Sequence, residues 1–294
     1  MRYKQKIWLA ISLCAFGASA VAAEAAQSAR GARGGERGAQ ATQGAAAPAR
    51  GGATAQRQPA SPPYISGDAA QLFDVLPPAP VIGDARDEAD RKIFRQTRAL
   101  YNTPRWEMAA HDAQLGNDVM LEHFSCSLGI ELKAEDAPRI VAITQKVTRE
   151  AAASMSKAKD FYQRHRPFKA DVGPTCVPES TIGESFDYPS GHTTAGWAWA
   201  LVLAQVDPSR AVPILARGRA IGDSRVVCGM HNASAVENAR MLTGAAVSLA
   251  SASPLYQADL AYARAELAKL REGEHKKPDP ARCAVEAELI KPYW

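Results

Sequence analysis

From Asp87 onward the chain is written in helical period, and no segment alternates apolar and polar residues as a half-buried strand would. "DEADRKIFRQTRAL" places Ala89, Ile93, Phe94 and Leu100 near helical spacing. "TPRWEMAAHDAQLG" opens with Thr103 as a cap, Pro104 in the first turn and Glu107 behind it. "NDVMLEHFSCSLG" ends on Gly129, a residue suited to closing a helix. The stretch from Ala134 to Arg166 predicts one long helix of roughly thirty residues, stopped because Pro167 disfavours helical backbone at the residue before it. Residues 168–188 lack a period and form a loop. "SGHTTAGWAWALVLAQV" is apolar on all sides, which places that helix at the centre. Three more helices follow, in 208–229, 232–252 and 254–273, and nothing repeats. The expected fold class is an all-α helical bundle.

The first residues do not belong to that bundle. "MRYKQK" is basic, the following "IWLAISLCAFGASAVA" is apolar, and "VAA" before Glu24 has the small residues of a cleavage site. Residues 1–23 therefore read as a secretory signal peptide. An uncleaved anchor fits the crowding of small residues less well. Leu13 is too bulky to precede a lipidated Cys14. Residues 24–63, built from Ala, Gly, Gln, Arg and Pro, read as a disordered linker, a solvated spacer rather than an arm for an anionic polymer. The remaining 64–294 form the folded domain, entered through a proline-punctuated arm. No later stretch is apolar enough to span a bilayer. The expected location is periplasmic or secreted.

Charge agrees with this division. The net charge is +4, and it drops to +1 when Arg2, Lys4 and Lys6 leave with the signal peptide. Residues 24–60 hold a net +3, so the domain is slightly acidic. The isoelectric point near 8.8 reflects the segments before the domain and gives no support to nucleic-acid binding. Four cysteines remain after cleavage, at 126, 176, 228 and 283. An even number in an exported chain suggests two disulfides, with three connectivities open; the spacing fits no zinc site.

Three short segments hold the chemistry. In "KAKDFYQRHRP", Lys159 and Arg166 are seven residues apart, which on a continuous helix puts both on one face. Arg164 and His165 beside them read as a solvated helix end. In "YPSGHTT", Ser190 and Gly191 open the apolar helix, where backbone N–H groups point outward unpaired, and His192 stands in the first turn. In "SRVVCGMHNASAVENAR", Arg225 precedes His231 by six residues. Arginine is suited to bidentate contact with phosphate, and histidine to attack or proton transfer. Each segment alone is weak evidence. Together, three cations, a helix N-terminus, a serine and two histidines suit a tetrahedral oxyanion, and no carboxylate cluster for a metal accompanies them.

The pattern of Lys, six residues and Arg-Pro, then Pro-Ser-Gly-His, then Ser-Arg, five residues and His resembles the phosphatidic-acid-phosphatase type 2 and vanadium haloperoxidase superfamily. Within it, "QTRAL", "RW", "DA", "RPF", "YPSGHTTAGWAWALVLAQ" and "SRVVCG-H" are similar to the class A bacterial nonspecific acid phosphatases, over roughly residues 85 to 270. The resemblance implies an all-α bundle of that type. It implies phosphate held by Lys159, Arg166, Arg225, Ser190 and the Gly191 amide. His231 would be the nucleophile, forming a phosphohistidine, and His192 the general acid and then base. No metal or other cofactor would be needed, and the partners would be small phosphomonoesters; a homo-oligomer stays open. Cys176 lies between two of these motifs and Cys228 within the third, so the expected disulfides are Cys176–Cys228 and Cys126–Cys283.

One position departs. The family pattern has an aspartate four residues after the second histidine, and here Ala235 stands there. A carboxylate one helical turn on would orient the ring. Ser234 is neutral, and Glu237 points about 120° away. The expectation is an exported acid phosphatase with reduced activity, which an aspartate at 235 would restore. Two rivals use the same cage: a vanadate-dependent haloperoxidase, and a non-catalytic phosphate- or nucleotide-binding homologue, the latter favoured only by Ala235.

Overall fold

The computed structural model describes residues 62–292 except 66 and 68, all within the compact unit Gln58–Trp294. The expected signal peptide and nearly all of the linker lie outside the described residues. No strand occurs among the described residues, and the fold is all-α.

The helix ends follow from their sequences. Helix α1 (Ala85–Thr97) is capped by Asp84, whose carboxylate accepts from the Asp87 N–H at 2.7 Å. Helix α2 (Pro104–His111) has Thr103 as its cap and proline at its start. Helix α3 (Asn117–Leu128) closes on Gly129 at φ 72°. Helix α4 (Pro138–Tyr162) has no capping side chain of its own; the Glu266 carboxylate accepts its Arg139 and Ile140 N–H groups at 3.0 and 2.9 Å. Helices α5 (Gly191–Val206), α6 (Ala211–Val227), α7 (Ala233–Ser251) and α8 (Pro254–Glu272) follow, and α9 (Pro280–Leu289) completes the described chain.

Helix α5 lacks a charged residue and packs against α4, α6, α7 and α8. Its apolar surface on every side can be buried only at the centre. The α5–α6 crossing is unusually close. A Cβ at Gly218 would lie 2.1 Å from that of Ala200, and one at Gly196 would lie 2.5 Å from the Ile221 side chain. Glycine at these two positions lets α5 and α6 approach this closely.

Two expectations are corrected. Helix α4 stops at Tyr162 rather than Arg166, because Gln163 takes a left-handed conformation (φ 46°) and gives its N–H to the Lys159 carbonyl at 2.9 Å. Arg166 is therefore on extended backbone and does not share a helical face with Lys159. Helix α9 was absent from the sequence expectation. It begins at Pro280 under an Asp279 cap, and the Cys126–Cys283 disulfide ties it to α3, with Cα atoms 5.4 Å apart. A second disulfide joins Cys176 to Cys228, with Cα atoms 4.8 Å apart.

Candidate active site

The six-residue spacing of Arg225 and His231 is explained by a turn. Helix α6 ends at Val227, and Gly229 at φ 73° reverses the chain. The Met230 and His231 N–H groups then return to the Arg225 carbonyl at 3.0 and 3.2 Å. Arg98 holds the same helix end, donating to the Val226 and Val227 carbonyls at 2.9 and 2.7 Å. Those are carbonyls that a helix terminus leaves unpaired, and a cation there also suits the helix dipole.

Lys159, Arg166, Arg225, His192 and His231 lie close enough to act on one another's charge, and Ser190 and Gly191 open α5 immediately before His192. Arg166 donates to His231 Nε2 at 3.0 Å and to the Met230 carbonyl at 2.9 Å, and its other edge holds the Ser185 carbonyl at 2.7 Å. Lys159, in the last turn of α4, donates to the Phe186 carbonyl. Ser190 caps α5, accepting from the Thr193 N–H at 3.3 Å, and its own N–H donates to the Ala235 carbonyl at 3.0 Å. Gly191 is the first residue of α5, with Met155 3.3 Å from where a Cβ would stand. His192 Nε2 lies 3.1 Å from the Ala113 carbonyl.

The electrostatics are those of a cage of like charges. Burial, with Arg166 beside it, lowers Lys159 to about 8. Burial and Arg166 lower Arg225 to about 10. Arg225 is only 2% exposed; its Nε has no partner, and Nη1 reaches only the Cys228 sulfur at 3.8 Å. A desolvated guanidinium without an ion pair is costly unless an anion shares the site. Burial, then Arg225, holds His192 down to about 3. Burial, then Arg166, Lys159 and Arg225, keep His231 well below its ordinary value. Both histidines are neutral in this field.

Hydrogen-bond chemistry fixes which nitrogen of each ring holds the proton. A guanidinium can only donate, so His231 Nε2, facing Arg166, holds the lone pair. His231 Nδ1 faces the Asp187 backbone carbonyl at 2.8 Å and its Oδ1 at 2.9 Å, both acceptors, so Nδ1 bears the proton. His192 Nε2, facing a carbonyl, likewise bears the proton of its neutral ring.

A metal has one arrangement to consider among the described residues. His111, Asp112 and His123 offer ligand atoms within 4.8 Å of one another. Asp112 already receives both Arg217 nitrogens at 2.6 and 3.2 Å and the Ser224 hydroxyl at 2.6 Å. A cation there would meet the Arg217 guanidinium, so the donor set suits a buried ion pair better than a metal.

Residues 142–258 match the PAP2 superfamily. An acid phosphatase of Zymomonas mobilis is 32% identical over 235 residues, covering 79% of this chain and 88% of that protein. A non-specific acid phosphatase of Providencia stuartii is 36% identical over 209 residues, covering 70% and 84%. One of Salmonella typhimurium is 33% identical over 195 residues, covering 65% and 78%. The chain belongs to the PAP2 superfamily, among the non-specific acid phosphatases.

For a phosphatase of this family, the surroundings of His231 differ from the sequence expectation. Helix α7 begins at Ala233 with Asn232 as its cap, so His231 precedes the helix, and Ala235 is not one turn along it. Ala235 is fully buried in the apolar core. The expectation that nothing charged steadies the ring is overturned, because Asp187 is bonded to it. With that, the ground for expecting slow turnover is removed, and so is the one reason to favour a non-catalytic homologue.

Asp187 is itself held on several sides. Its oxygens accept from Asn232 N–H at 3.2 Å, from Asn232 Nδ2 at 2.8 Å and from Arg164 at 3.4 Å. Burial pushes its carboxyl up to about 6, while Arg164 and Asn232 pull the other way. Arg164 is also no solvated helix end. Its side chain, 9% exposed, lies at the centre of an acidic ring, with Asp87 at 3.0 Å, Asp90 at 2.9 Å and the Ser234 hydroxyl at 2.8 Å. Asp90 in turn caps α7 through the Ser234 N–H at 2.8 Å. Asp187, Arg164, Asn232 and Asp90 were missed from sequence. The available signal was a lone aspartate two residues before Pro-Ser-Gly-His, in a chain with no acid at 235.

Proposed function

We propose that this acid phosphatase is exported through the signal peptide 1–23, is spaced by the linker 24–63, and hydrolyses phosphomonoesters in the domain 64–294 through a phosphohistidine on His231. No helix among the described residues is long and apolar enough to cross a membrane. The observation that supports the chemistry best is the His231 tautomer. Its Nε2 lone pair lies in the cage of Lys159, Arg166 and Arg225, with the proton on the far nitrogen.

In this reading the phosphoryl oxygens lie among the three cations, the Ser190 hydroxyl and the α5 N-terminus at Gly191. As Arg166 turns its donor from Nε2 to a phosphoryl oxygen, the His231 Nε2 electron pair attacks phosphorus, and the bond from phosphorus to the ester oxygen breaks. His192, protonated from solvent as the ester binds, gives that proton to the oxygen and returns to neutral imidazole. Near pH 7 the free-enzyme field keeps His192 neutral. The ester dianion adds negative charge to that field and raises the ring's affinity for the proton it must give. In the second half, water attacks the phosphohistidine and His192 takes the water proton. Phosphate then departs, and Nε2 regains its lone pair. The cations stabilise the charge spread over the equatorial oxygens.

Turnover of a chromogenic phosphomonoester by the purified mature protein, with a chelator present, tests the assignment. The expected result is turnover in the wild type and loss of at least roughly 10³-fold in His231→Ala. Equal turnover in the two would remove His231 from the reaction.

A further inference from the structure

We infer that Asp187 is the positioning carboxylate of His231, taking from the segment before α5 a role that the family pattern gives to an aspartate at the position of Ala235. This rests on the phosphohistidine reading of the same site.

Three observations support it. Asp187 Oδ1 is 2.9 Å from His231 Nδ1, and both groups are fully or almost fully buried. The Asp187 backbone carbonyl at 2.8 Å shares the same Nδ1 proton, so the two together hold the tautomer whose Nε2 faces the cage, and the carboxylate charge stabilises the imidazolium character that develops as the P–N bond forms. The carboxylate is also fixed independently of the ring. Asn232 donates to it twice at the α7 N-terminus, where helix polarity favours a negative charge, and Arg164 donates from the opposite side. Its own backbone N–H is anchored to the Arg164 carbonyl at 2.8 Å, so aspartate and arginine hold one another in register.

Position 235 cannot take the same role without conflict. The Ala235 carbonyl accepts the Ser190 N–H at 3.0 Å, which docks the 187–190 segment directly onto this turn of α7. Ala235 is fully buried among apolar side chains. A second carboxylate there would enter a dry site that already holds one, where a like charge disfavours ionisation of both.

The test uses the mature enzyme and three readouts. In Asp187→Asn, kcat is expected to fall on the order of 10²- to 10⁴-fold, with the inhibition constant of inorganic phosphate within about threefold of wild type, because the cations and the α5 N-terminus are unchanged. In the same variant the Nδ1–H proton resonance of His231 should move upfield, because a neutral amide replaces the charged acceptor while the backbone carbonyl at 2.8 Å still keeps the proton on Nδ1. Ala235→Asp is expected to be no faster than wild type. Unchanged kcat and an unmoved Nδ1–H resonance in Asp187→Asn would overturn the inference, and so would a strong gain in Ala235→Asp. The second variant keeps the test open even where Asp187→Asn folds poorly. The ring signals separate this inference from the reading beneath it. If His231→Ala keeps full turnover while Asp187→Asn still moves the Nδ1–H resonance, the phosphohistidine fails and the positioning bond stands.

Discussion

Lys159 and Arg225 reach the site from different elements, and each is held in a less protonated range by burial and by the other cations. Removing either side chain relieves that repulsion and deletes a charge-assisted contact to phosphate. Lys159→Ala and Arg225→Ala are each expected to weaken inorganic phosphate inhibition by roughly ten- to hundredfold. Unchanged inhibition constants in both would place the two groups outside the site. At this scale the sequence puts residues forward where they lie inside a dense motif: Arg166, His192 and His231 each stand in one, and Arg166 meets His231 Nε2 at 3.0 Å. The sequence fails where the partner comes from elsewhere in the chain. Asp187 is 44 residues from His231, and Arg164 meets Asp87 across 77. No local period marks such a contact. The helical argument from Ala235 went astray because it placed His231 inside α7, whereas Asn232 begins that helix with extended backbone (ψ 154°).

Among the elements, α5 was legible because an apolar run of its length without a charge has nowhere to go but the centre. The end of α4 was not. Pro167 marks a stop, but the helix gives way earlier, at the left-handed Gln163. Nothing in a glutamine announces that conformation; tertiary bonds impose it by drawing Arg164 into its acidic ring. Helix α9 was missed because it is short and without a buried residue of its own, so no apolar stripe betrays it. The close α5–α6 crossing leads to an expectation at this scale. Gly218→Ala must push α6 away from Ala200, and it should cost about 1–3 kcal/mol of stability by chemical denaturation, as overpacking does elsewhere. Because the shift moves Arg225, in the last turn of the same helix, phosphate inhibition should weaken as well. A variant as stable as wild type would mean that the two helices separate at no cost.

For the whole molecule, buried neutral histidines tie stability to pH. Burial lowers His123 to about 4 and His192 to about 3. Once unfolded, both take a proton near the ordinary value of about 6.5. Below that pH the unfolded chain binds more protons than the folded one, so their contribution is complete above about 6.5 and is lost as pH falls toward 4. Thermal midpoints should therefore decline from pH 7 to pH 4, and a flat profile would contradict this. The central claim is the covalent intermediate, and rapid-quench labelling addresses it most directly. His192→Ala, in which attack by water would lack its base, would be mixed with an aryl phosphomonoester whose leaving oxygen needs no proton, quenched in alkali and mapped by peptide mass spectrometry. The expected result is one phosphoryl group on His231 that decays as inorganic phosphate appears. Continued release of phosphate with His231 unmodified at every time would contradict it.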